Sequence, residues 1–162
     1  MLLPETRTQQ WPNEAACAAS AAALAATLTT PRGLHDACIE LHGPLGAGKT
    51  TFVRHLLHAL GVKGHVKSPT YAVLEEYELP GPNADQPIRH FDFYRFDDPQ
   101  EWEDAGFREV FGSRGLKLVE WPEKVEGLLP VPDLRIEIEA GLDEQRVVRL
   151  QALTALGAGL LG

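Results

Sequence analysis

The stretch "HGPLGAGKTT" at positions 42–51 constrains this chain more than any other. Three glycines fall within six residues and are followed by a lysine and two threonines, directly after the apolar run "ACIEL". Glycine loses more backbone freedom on folding than any other residue, so such a cluster needs a backbone purpose. The flanks supply one. Positions 36–43, "DACIELHG", read as a buried strand entering a turn, and 49–60 read as a helix closed by Gly61. Phe52, Val53, Leu56, Leu57 and Leu60 share one face of that helix. Gly43, Gly48, Lys49 and Thr50 match G-x-x-x-x-G-K-[ST] between strand and helix, the context the pattern requires. A phosphate chain is held by several backbone N–H groups aimed into one hollow, which needs torsions and close approaches that side chains would block. The helix start adds its free amides and dipole, Lys49 would neutralise β- and γ-phosphate charge, and the Thr50 hydroxyl would ligate magnesium. The alternative is a glycine turn that merely joins strand to helix.

The 162 residues suit one domain with a real core, and 44% apolar with 23% charged residues is ordinary for a globular protein. A formal net charge of -8 argues against nucleic-acid binding by the chain alone, which needs clustered Lys and Arg. The two cysteines, Cys17 and Cys38, have no metal-ligand spacing and are too few for a disulfide framework, so reduced cytoplasm is the expected location. The segment 15–26, "AACAASAAALAA", imitates a secretory signal but lacks a positive start, and no stretch is apolar enough for a membrane span. It reads as a helix from about Asn13, a good N-cap residue, to about Leu28, ended by "TTPRG".

Further along, 70–79 and 87–96 read as strands joined by "PGPNADQ", which suits a hairpin loop. Asp98 and Pro99 open a short helix through 106, and 115–121 is another apolar strand. Positions 133–140 and 145–153 alternate like a closing antiparallel pair. The ends, 1–10 and 155–162, are expected to be flexible.

In phosphate-binding loops of this kind an acid at the end of a neighbouring apolar strand completes the metal shell. Two strands end that way: "GLKLVE" delivers Glu120, and "HFDFYR" delivers Asp92 beside His90 and Arg95. The assignment is Glu120 supporting magnesium and Asp92 orienting an attacking or metal-bound water, against a plain solvated acid at each strand end. The sequence holds no Asn-Lys-x-Asp segment of the kind that reads guanine, which favours ATP.

"GPLGAGKTTFVRHLLHALG", "VKSPTY", "RHFDFYR" and "LVEWPEK", in this order and spacing, closely resemble the bacterial TsaE (YjeE) ATPases over about residues 13–150. The resemblance implies a small P-loop NTPase-like three-layer α/β fold, with a mixed sheet that includes antiparallel hairpin strands. It also implies bound ATP and Mg2+ and a role beside the TsaD and TsaB proteins in threonylcarbamoyladenosine formation on tRNA. There the transfer chemistry would belong to the partners, and this chain would hydrolyse ATP. By position, the resemblance puts Gly46, Ala47, Gly48, Lys49, Thr50 and Thr51 on the phosphates and Thr50 with Glu120 on magnesium. Lys49, Asp92 and Thr70 serve hydrolysis, Trp121 lies beside the site, Arg146 touches nucleotide, and Ser68, Pro69 and Thr70 form a nucleotide-sensing loop. One departure is that "CAASA" at 17–21 stands where the family offers Thr-x-x-Leu-Gly, so Cys17 replaces a hydroxyl.

Other patterns have ordinary readings. His55 and His58 lie three apart on a helix without a third ligand nearby in sequence. Tyr71, Tyr77, Phe91, Phe93, Tyr94 and Phe96 suit core packing on strands better than base stacking. Lys63 and Lys67 are either phosphate-steering or simply solvated. Three functions stay open: an accessory ATPase, a stand-alone small-molecule kinase whose only support is Arg108 and Arg114, and a module that binds ATP without turnover.

Overall fold

The computed structural model describes residues 3–67, 69, 73–79 and 86–162. Its centre is a seven-stranded mixed sheet made of β1 (Glu5–Trp11), β4 (Cys38–His42), β5 (Leu74–Tyr77), β6 (Ile88–Asp92), β7 (Leu116–Glu120), β8 (Leu134–Ala140) and β9 (Arg146–Ala152). The order is β1-β9-β8-β4-β7-β6-β5, while β2 (Thr29–Thr30) and β3 (Gly33–Leu34) pair separately. The middle four strands, β8, β4, β7 and β6, run parallel, and both edges are antiparallel. Parallel strands covered on both faces read as near-continuous apolar runs, as "CIEL" and "LKLV" do. Parallel strands also bring their carboxyl ends to one edge, where open α/β sheets bind ligands.

Helices cover the two faces, giving three layers. α1 (Glu14–Leu28), α2 (Lys49–Leu60) and α5 (Ala155–Leu160) contribute to one core with Leu41, Leu116, Leu118 and Ile136 from the sheet. On the other face α3 (Pro99–Ala105) and α4 (Phe107–Phe111) enclose a second cluster in which Trp102, Phe93 and Phe91 are almost fully buried. Burying each such ring contributes roughly 1.5–3 kcal/mol. α1 starts because the Asn13 side chain accepts a hydrogen bond from the Ala16 amide, and α3 because Asp98 accepts from Gln100 with Pro99 in the first turn. α2 ends where Gly61, at φ 109, donates to the last carbonyls.

Both chain ends differ from expectation. Instead of a flexible start, β1 pairs along its whole length with β9, from Glu5 opposite Ala152 to Trp11 opposite Arg146. Its residues are mostly exposed and polar, so the pairing depends on a partner strand far away in sequence. Instead of a frayed tail, α5 is capped by Thr154 and buries Leu160. Gly157 is there for a close approach, because a Cβ would collide with the Asp133 carbonyl. The strand expected over 87–96 stops at Asp92, and α4 was not foreseen.

Candidate functional site

The glycine loop sits at the carboxyl end of β4. Gly43 has φ 152, and a Cβ there would stand 2.6 Å from the Ile138 carbonyl, so the loop can pass β8 only with glycine. Gly46 and Gly48 have φ values of 80 and 108, where other residues are strained. Gly48 caps α2 with no side-chain acceptor, so the first-turn amides of α2 open toward the loop's hollow. Ala47 is buried, its amide bonded to the Pro44 carbonyl at 3.1 Å, which closes the loop on itself.

Lys49, only 5% exposed, donates from Nζ to the Gly43 carbonyl at 2.5 Å and lies 3.5 Å from the centre of the Trp121 ring. Burial lowers its pKa from the ordinary lysine value, opposed by the charges of Glu120, Glu123 and Asp92. Cation–π contact and nearby acids keep a desolvated ammonium in place. Trp121 reaches the lysine because its backbone is left-handed, φ 55, immediately after β7. That conformation costs about 1–2 kcal/mol for a non-glycine residue. Tyr94 also packs against the indole, ring centres 4.9 Å apart and tilted by 49°.

Thr50, in the first turn of α2, donates to Glu120 at 2.9 Å from Oε1 and 3.0 Å from Oε2. Glu120 ends β7, and Asp92, ending β6, is its neighbour in register. Both acids are buried, at 2% and 4% exposure, where a carboxylate must be paired or hydrogen-bonded. Asp92 Oδ1 accepts from the Tyr94 amide at 2.9 Å, forming the turn that stops the strand early. The Asp92 amide donates to the Val73 carbonyl at 2.9 Å, tying β6 to the segment before β5. Lys49, Thr50, Asp92, Tyr94, Glu120 and Trp121 thus share one cleft of about 410 Å³.

A second cleft of about 280 Å³ lies on the other side of the loop and shares Ala47, Gly48 and Thr51 with the first. Trp11, Cys17, Arg54 and Arg146 line it. Arg146 donates from Nε to the Ala47 carbonyl at 2.8 Å, bracing the loop from β9. Trp11 stacks on Phe52 with ring centres 5.4 Å apart. The Cys17 thiol is pushed up to about 11 by burial, with the Glu14 charge adding to the shift.

The structure thus brings together Gly46, Ala47, Gly48, Lys49, Thr50, Thr51, Asp92, Glu120 and Trp121 around one cleft and Cys17 with Arg146 in the adjoining one, while Gly43 lines neither and touches the site through its carbonyl, which accepts from Lys49. Ser68, Thr70 and Tyr71 lie outside the described residues. Trp11 and Arg54 escaped sequence reasoning. Arg54 had a signal, lying one turn beyond Thr51 on the face of α2 opposite the core. His55 and His58 contact Glu14 and the Gly64 carbonyl, respectively, and do not meet as ligands. Arg108 pairs with Glu103. Arg114 precedes β7, at the end of the sheet opposite Glu120.

Among the described residues no group of three or more His, Cys, Asp and Glu could hold a metal by itself. The oxygens of Thr50, Glu120 and Asp92 instead suit a hard cation such as Mg2+, which usually takes one or two carboxylates plus substrate phosphates. The amide hollow suits phosphate. A glycine loop between a parallel strand and a helix, with strand-end acids beside it, defines the class as the P-loop α/β fold. Within that class, residues 11–148 match the family model described as "Threonylcarbamoyl adenosine biosynthesis protein TsaE". The chain is 43% identical over 76% of its length to the Haemophilus influenzae tRNA threonylcarbamoyladenosine biosynthesis protein TsaE, covering 75% of that protein. The Bacillus subtilis protein of the same name is 38% identical over 71% of this chain and 69% of its own. The crystal structure of Bacillus subtilis YdiB superposes with a TM-score of 0.75 and 28% identity, covering 99% of this chain and 95% of that one. This chain belongs to the TsaE family. Among the described residues no helix is long and apolar enough to cross a membrane.

Proposed function

We propose that this protein is the accessory ATPase of the machinery that makes threonylcarbamoyladenosine on tRNA, working in the cytoplasm beside TsaD and TsaB. The observation that carries the reading is the hydrogen bond from Thr50 to the buried Glu120, with Asp92 in register beside it and Lys49 across the same cleft. In this reading Lys49 and the amides of residues 46 and 48–51 take the β- and γ-phosphates, while the Ala47 amide holds the loop closed. The second cleft, past Thr51, takes the nucleoside between Trp11, Cys17 and Arg146. Thr50 and Glu120 hold Mg2+, which when bound neutralises charge on the phosphates. Asp92 accepts a hydrogen bond from the attacking water and orients it. Lys49 exchanges the Gly43 carbonyl for phosphate oxygen. Thr70, outside the described residues, is the remaining residue assigned to hydrolysis. A net charge of -8 suits docking on a basic partner face rather than direct tRNA binding.

Phosphate release from ATP and Mg2+ by the purified chain, with and without TsaD and TsaB, tests the proposal. The accessory ATPase is stimulated by its partners. A binding module releases no phosphate in either case, and a kinase without its substrate is not stimulated. The kinase alternative has lost its sequence support, since Arg108 and Arg114 both lie away from the cleft.

A further inference from the structure

His90 is fully buried in β6, on the same sheet face as Asp92 two residues later. Its Nε2 is 2.6 Å from Glu120 Oε2. A carboxylate only accepts, so the hydrogen of this bond resides on Nε2. Nδ1 is buried without a partner among the described residues, which leaves the bond to Glu120 as the ring's one polar engagement. A histidine that merely filled space here would cost more than a leucine, because it brings an unpaired nitrogen into the core. Glu120 is therefore held from two directions, by Thr50 from α2 and by His90 from the neighbouring strand. His90 engages Oε2 from within the sheet while Thr50 reaches both oxygens from the cleft side, so the two bonds together fix the rotation of the carboxylate that lines the cleft.

We propose that His90 is a positioning residue that fixes the Glu120 carboxylate for Mg2+, so that the metal strengthens nucleotide binding only when this hydrogen bond is intact. The inference rests on the function proposed above and concerns the metal-dependent part of it. Outer hydrogen bonds of this kind commonly control metal affinity by 10–100-fold.

The test is calorimetric titration of ADP into the intact chain, in EDTA and again in saturating Mg2+, for wild type, His90→Leu, His90→Asn and His90→Gln. The quantity read is the ratio of the two affinities. Glutamine can carry an amide donor to about the place of Nε2, while asparagine is as polar but too short. His90→Asn and His90→Leu are expected to lower the Mg2+ enhancement by about tenfold or more, with EDTA affinity within about twofold of wild type. His90→Gln is expected to restore most of it. Should His90→Leu fail to fold, the asparagine and glutamine pair carries the comparison between two amides. Unchanged enhancement in His90→Asn overturns the inference, as does an equal loss of affinity with and without Mg2+. If the wild type binds no ADP in either condition, the function proposed above fails first, and the inference falls with it.

Discussion

The two clefts that flank the glycine loop are built in opposite ways. The larger one draws Lys49 and Thr50 from a single contiguous motif and completes it with acids from two adjacent strand ends. The smaller one draws Trp11, Cys17, Arg54 and Arg146 from β1, α1, α2 and β9, elements that no local pattern links. The difference separates two physical tasks. Triphosphate and metal demand fixed charges and amide geometry, which tolerate little variation in spacing. A nucleoside can be gripped by shape and a few hydrogen bonds, which many residue sets supply. Substitutions in the first cleft should therefore have large effects on turnover, and those in the second smaller effects on affinity.

The largest effect is expected at Lys49. Lys49→Ala removes the buried ammonium from the phosphate side and should lower partner-stimulated ATP hydrolysis by about 10²–10³-fold, read as phosphate release. It also removes the cation from the face of Trp121, so the intrinsic tryptophan fluorescence of the nucleotide-free chain should shift relative to wild type. Asp92→Asn comes next. Asparagine keeps an acceptor for the Tyr94 amide but loses the charge. Hydrolysis should fall about 10²-fold while ADP affinity stays within about threefold of wild type. Equal losses in both would place Asp92 in binding and blur the division between chemistry and grip.

The same division explains what could be read before the structure. The phosphate loop was legible because its purpose is local: strand, glycines, lysine and helix follow each other within a few turns of chain. Glu120 and Asp92 were legible as acids after apolar runs, and their register is a consequence of parallel pairing. β1 was illegible because its exposed, polar residues carry no buried face, and only β9 makes it a strand. With β1 lost, Trp11 was lost too. α5 was misjudged because its glycines imitate a loose tail, whereas Gly157 permits contact with the Asp133 carbonyl. The left-handed backbone of Trp121 has no signature in residue type, although it is what turns the indole toward Lys49.

A middling effect is expected on the other side of the loop. Arg146→Ala removes the hydrogen bond to the Ala47 carbonyl and one wall of the smaller cleft. A charged hydrogen bond contributes about 1.5–3 kcal/mol, so ADP affinity measured in EDTA should fall by about 10- to 150-fold at most. The turnover rate at saturating ATP should change by less than about threefold. A collapse of turnover at saturation would show that Arg146 reaches the reacting phosphates, and the two clefts would no longer divide the work.

The smallest effect is expected at Cys17, in the wall of the smaller cleft. The thiol is a weak hydrogen-bond former, and a hydroxyl at the same place could bond a nucleoside. Cys17→Thr should therefore tighten ADP binding by about two- to tenfold without altering turnover. The same substitution has a signature in pH that does not depend on nucleotide. The ordinary thiol value of 9.0 is raised to about 11 in the folded chain, chiefly by burial. Below pH 9 the thiol is protonated in folded and unfolded chains alike. As pH rises from 9 toward 11, the unfolded thiol ionises first and the folded state loses stability relative to it. Denaturant titrations at stepped pH should show a shallower decline across that window in Cys17→Thr than in wild type. Cys38, pushed up to about 12 by deeper burial, remains in both proteins and supplies the decline that persists. An unchanged alkaline slope would mean that the Cys17 thiol is open to water, and the smaller cleft would then be too wet to grip a nucleoside by shape.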